Sequence, residues 1–172
     1  NVFRLVEVEI KIPTDLKTNS LKELESLEQA LKKATTELEA IRVKTLENID
    51  EEHAMIFDAH IQIVNDPEMF SQIKDLIEKD KYNAAFAYNT VAETFATIFE
   101  AMDNAYMNER AADVRDVARR VLAHILGVKL NDPTTIDSEV IVVAEDLTPS
   151  DTAQLNRKFV KGFITNIGGR TS

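Results

Sequence analysis

Residues 21–41 read LKELESLEQALKKATTELEAI, and their spacing decides the fold. Leu24, Leu27, Leu31, Ala34, Leu38 and Ile41 recur at intervals of three and four. With about 3.6 residues per turn, these positions line one face of a long amphipathic helix. Ala111, Val114, Ala118, Val121 and Ile125 repeat the pattern, and Gly127 stands where a helix C-terminus favours a left-handed residue. Val91, Phe95, Ile98, Phe99 and Met102 mark a helix between them. Glu51 to Glu78 is helical but interrupted at Asn65-Asp66-Pro67, with Asp66 as N-cap and Pro67 in the new first turn. Two helical hairpins, four main helices in all, are the economical arrangement.

Outward from this helical middle the period changes. Upstream, Phe3, Leu5, Val8 and Ile10 alternate with Arg4, Glu7, Glu9 and Lys11, which predicts a strand over 2–12. Val6 breaks the alternation, Pro13 ends the run, and residues 14–20 form a connector. Downstream, Val140-Ile141-Val142-Val143-Ala144 is apolar throughout, the pattern of a strand covered on both faces. Thr148-Pro149-Ser150-Asp151 supplies a threonine N-cap, a proline at the first position and an acid at the third. Residues 159–165 form another strand with Gly162 as a bulge position, leading into Gly168-Gly169-Arg170-Thr171-Ser172. A lone strand cannot stand by itself, so the first must pair with the later ones. The expected fold class is α+β: a helical-hairpin bundle over 14–127 inserted into a small split α/β unit over 1–13 and 128–172.

The 172 residues carry a net charge of −10 and no cysteine, which excludes disulfides, thiolate metal sites and thiol nucleophiles. Between residues 14 and 127 there are 22 acidic and 13 basic side chains, a net of −9, so the acidity belongs to the helical part. Such a surface repels nucleic acid and steers a basic protein towards it, although solubility alone also explains it. No apolar run approaches the roughly 20 residues needed to span a bilayer, and no basic leader opens the chain. No P-loop, dinucleotide fingerprint or Gly-x-Ser-x-Gly elbow occurs.

Three histidines are present, His53, His60 and His124. Asp50 and His53 could share a helix face, but two ligands make no metal site. His124 reads as a packed or solvated residue beside a stripe position. His60 lies in a segment that is apolar on more than one face, so it belongs either to the core or to a partner-binding patch. Asp116 and Arg120 are spaced as an i,i+4 pair, which predicts a solvated, self-paired face on the last long helix. The glycine pair before Arg170 lets the backbone turn sharply, and a helix after it would bring amide groups to a phosphate.

Three segments occur in one order: residues 109–116 reading ERAADVRD, 146–155 reading DLTPSDTAQL, and 168–172 reading GGRTS. In that order they resemble the amino-terminal region of Enzyme I of the bacterial phosphoenolpyruvate:sugar phosphotransferase system, and Phe57-Asp58-Ala59-His60 is similar to a fourth segment of it. The resemblance implies a phosphohistidine-type α/β unit, incomplete here, and a phosphoenolpyruvate-protein phosphotransferase of the cytoplasm. In that family the amino-terminal half takes a phosphoryl group on a histidine directly after the Gly-Gly-Arg-Thr-Ser motif and passes it to the histidine-containing phosphocarrier protein. By the resemblance that histidine would follow Ser172. The chain is therefore expected to be truncated before it, inactive by itself and mainly monomeric. Thr152, Gly168, Gly169, Arg170, Thr171 and Ser172 would surround the missing histidine. The implied docking residues for the phosphocarrier are Glu51, Glu52, Asp58, His60, Gln62, Ile63, Asp66 and Glu68, with Phe99, Met107, Arg110 and Arg115. No cofactor is expected in the fragment; magnesium and phosphoenolpyruvate belong to the carboxy-terminal barrel of the full-length family. The competing expectation is a non-catalytic helical interaction module related to Enzyme I.

Overall fold

The computed structural model describes residues 1–131, 133 and 136–167. Five helices stand between the first strand and the second: α1 (Ser20–Asn48), α2 (Glu51–Val64), α3 (Pro67–Glu78), α4 (Ala84–Glu100) and α5 (Ala105–Leu126). Each begins at a side chain able to accept from the free amides of the first turn. Asn19 accepts from Lys22 N, Asp50 from His53 N, Asp66 from Met69 N, Asn83 from Phe86 N and Asn104 from Tyr106 N. The expected interruption is present, since α2 ends at Val64 and α3 restarts with Pro67 in its first turn. At the end of α5, Gly127 takes φ +66°, a left-handed conformation that a Cβ would strain.

The apolar stripe of α1 lies in the core of this part. Leu27, Ala34 and Leu38 are fully buried, with Ile41 nearly so, against Phe57, Ile73, Ile77, Tyr88, Val114, Val117 and Val121. Burial also raises the Tyr88 phenol well above its ordinary pKa, so it stays neutral.

Strands β1 (Val2–Leu5), β2 (Val140–Ala144) and β3 (Val160–Thr165) form a parallel sheet in the order β1-β2-β3. The first two are neighbours although the whole helical part lies between them in sequence. The short helix α6 (Pro149–Gln154) connects β2 to β3 and opens with the expected capping box, Thr148 and Asp151 bonding each other's amides. Lys161 is the extra residue of a bulge, because Val140 faces Val160 while Ile141 faces Gly162. A separate apolar cluster of Leu5, Ile136, Val140, Val142 and Ala144 lies on one face of the sheet, with Leu147, Leu155 and Phe159 packed on it.

The strands depart from their sequence pattern in two places. The first strand ends at Leu5, paired with Ala144, where β2 itself ends; Ile10 and Ile12 pack instead against the helical cluster. Arg119 Nη2 donates to Val8 O at 3.2 Å and ties that extended stretch to α5. The continuous apolar run of β2 is buried on one face only, for Ile141 is 42% exposed.

Candidate functional site

The acidic helices present the implied docking residues in two groups. Along α2 and the start of α3, Glu51, Glu52, Gln62 and Glu68 are exposed and Ile63 is half-buried. Around the turn from α4 to α5, Phe99, Met107 and Arg110 are half-buried, and Arg110 lies over the Tyr106 ring at 5.9 Å. Helix α5 packs against α1, α2 and α4. Because His60 on α2 meets Asp113 on α5, the start of α5 lies beside α2; Met107 stands six residues, about 9 Å, before that contact. Ile98, Met102 and Tyr106 add exposed apolar surface at the same turn. The spacing of Ile98 and Met102 with Val91, Phe95 and Phe99 marks a helix, yet Ile98 and Met102 are exposed. Helix α4 ends at Glu100, so Ile98 stands in its last turn and Met102 beyond it.

Four residues of the docking set are occupied inside the protein. Asp58 accepts from Arg42 Nε at 2.6 Å, and Asp66 caps α3. Arg115 bridges Glu93 and Glu100 on α4; this pairing raises the guanidinium pKa and lowers that of the Glu100 carboxyl. His60 is 1% exposed, edge-on to the Phe57 ring, and its Nε2 donates to Asp113 Oδ1 at 3.0 Å. It supports the face from beneath.

The charged run of α5 is not the self-paired surface that its spacing predicts. Asp113 holds α2 through His60, Arg115 holds α4, and Arg119 meets Glu7 and Val8 before α1. Arg120 donates to Glu37 of α1 at 2.7 Å, and His124 meets the other oxygen of the same carboxylate at 3.0 Å. Asp116 faces α6, where Ser150 Oγ lies 3.0 Å from both its carboxylate oxygens. Burial raises the Asp116 carboxyl pKa, and the charge of His60, the Ser150 bond and Arg120 offset only part of that.

Thr152 is exposed on α6 and donates to Thr148 O at 3.1 Å. Gly168, Gly169, Arg170, Thr171 and Ser172 lie outside the described residues. His53 is exposed and bonded to Asp50 Oδ1 at 2.7 Å; those bonds from His53 lower the Asp50 pKa. Among the described residues no group of three or more His, Asp or Glu side chains is placed to hold a metal ion. They therefore do not fit a magnesium site. Among them, too, no helix is long and apolar enough to cross a membrane.

Residues 2–110 match the family described as PEP-utilising enzyme, N-terminal, and residues 136–172 match the PEP-utilising enzyme, mobile domain. The chain is 52% identical over 170 residues to a phosphoenolpyruvate-protein phosphotransferase of Priestia megaterium, covering 99% of this chain and 30% of that protein. Against the protein of the same name from Enterococcus faecalis it is 58% identical over 147 residues, 85% of this chain and 26% of that one. The chain thus spans less than a third of the length of these curated relatives. Among solved structures, an Enzyme I protein determined in solution by NMR aligns with TM-score 0.89 and 35% identity over 99% of this chain and 70% of that one. The N-terminal domain of a nitrogen Enzyme 1 shares the fold, with TM-score 0.74 and 23% identity over 98% and 70%.

Proposed function

Because the chain belongs to the PEP-utilising enzyme amino-terminal family, together with the amino-terminal domain of Enzyme I, we propose that it docks the histidine-containing phosphocarrier protein. The observation that carries this reading is the composition of one helical face. Exposed carboxylates of Glu51, Glu52 and Glu68 flank the half-buried Ile63, and the start of α5, with Phe99 and Met107 at its turn, lies beside α2. An apolar centre with an acidic border suits a partner whose own apolar patch is ringed by basic residues. In the complete protein this unit would receive the carrier while the α/β part holds the phosphorylated histidine, with phosphoenolpyruvate and magnesium on a carboxy-terminal barrel. The helical and sheet clusters would then be two units with separate tasks in a cytoplasmic phosphotransferase.

None of the three histidines in the 172 residues offers an alternative acceptor on this reading. His53, His60 and His124 each sit on a helix and face a carboxylate, with Asp50, Asp113 and Glu37 as partners. The ring nitrogen that meets the carboxylate is occupied in each, Nδ1 in His53 and Nε2 in His60 and His124, and His60 is buried besides.

Calorimetric titration with the unphosphorylated phosphocarrier tests the proposal. Glu68→Lys should weaken binding mainly at low salt, because border charges act through steering and are screened. Ile63→Ala should cost on the order of 1–2 kcal/mol at every salt concentration if the residue is fully desolvated in the complex. Equal salt sensitivity of the two variants, or no binding by folded parent protein, would defeat the reading.

A further inference from the structure

Helix α6 has six residues, too few to hold its own conformation, so its placement depends on what it touches. It touches both apolar clusters. Ala153 packs on the helical cluster, while Leu147 and Leu155 at its two ends pack on the sheet cluster. Apolar contacts fix distance better than angle, whereas a hydrogen bond fixes direction. The direction comes from Ser150, which is 4% exposed and directs its hydroxyl at Asp116 of α5 from 3.0 Å. Thr148 Oγ1 lies 3.2 Å from Ser150 Oγ, so the helix cap belongs to the same chain of bonds. Nothing in the docking face uses Asp116, and an enclosed carboxylate needs a reason to be there.

We propose that Asp116 is a positioning residue: through Ser150 it fixes α6, and with it β2 and β3, at one orientation on the helical bundle. A carrier docked on the helices would then meet the end of β3 in a single geometry. This use of the latch rests on the docking reading, but the latch itself does not.

Residual dipolar couplings of backbone amides in a weakly aligned sample of the whole chain test it. In the parent, couplings from α1–α5 and from β2 and β3 should fit one alignment tensor. In Ser150→Ala the β2 and β3 couplings should lose magnitude and require a second tensor, while those of α1–α5 remain as in the parent. Ser150→Thr keeps the hydroxyl and should restore the single tensor. If Ser150→Ala fits one tensor as well as the parent does, or Ser150→Thr fails to restore it, the proposal is overturned. Should the sheet unfold in Ser150→Ala, Asp116→Asn decides, since its amide oxygen still accepts from Ser150: one tensor upholds the latch and two overturn it. Phosphocarrier titrated into the same samples reads docking separately. Loss of binding in the parent would defeat the docking reading and leave the tensor comparison intact.

Discussion

Asp116 shows how a single charged residue is kept at a junction of elements. Its carboxyl pKa lies above 3.8 because burial disfavours the anion more than His60, Ser150 and Arg120 favour it. A raised acid pKa in the folded state means that folding favours the protonated form. That stabilisation is fully present below the unfolded value near 3.8 and is lost as pH rises through the folded value. Asparagine does not ionise, so Asp116→Asn escapes this loss. Urea denaturation at a series of pH values should therefore show the stability difference between variant and parent moving in the variant's favour as pH rises from the unfolded pKa towards neutrality. A flat or opposite trend would mean that the anion is better satisfied than its surroundings imply. Reading this residue from sequence failed for a physical reason. The i,i+4 spacing of Asp116 and Arg120 is local, whereas the partners that won, Ser150 for Asp116 and Glu37 for Arg120, lie 34 and 83 residues away in the chain.

Helices were the most legible elements, because stripe and cap are both local. The interruption at Asn65-Asp66-Pro67 and the left-handed Gly127 lie where residue chemistry puts them. Strand ends were less legible, since the length of β1 is set by β2, more than a hundred residues downstream. His60 illustrates the same limit on a helix: a segment apolar on several faces does not reveal which face its neighbours cover, and the contact with Asp113 decides it. Asp66 offers a test at this scale, because one carboxylate both caps α3 and stands in the implied docking set. Asp66→Ala should lower stability by about 1 kcal/mol through loss of the bond from Met69 N, while Asp66→Asn keeps an acceptor and should cost far less. Chemical denaturation of both variants measures this; equal losses would assign the effect to charge and not to the cap.

At the scale of the whole molecule, a net charge of −10 is concentrated where the helices are, and three exposed apolar residues, Ile98, Met102 and Tyr106, lie together in sequence at the turn from α4 to α5. Charge placement was legible from sequence alone; the meeting of α2 with the start of α5 was not, because it depends on how five helices pack. On the docking proposal, that meeting turns separate acidic and apolar residues into a face. The most direct measurement is a map of backbone amide shifts while unphosphorylated phosphocarrier is added to the 172-residue chain. The account predicts saturable shifts along α2, the start of α3 and the turn from α4 to α5, with β2 and β3 unmoved. Shifts concentrated on the sheet, or none at all in a sample whose amide dispersion shows it folded, would contradict it.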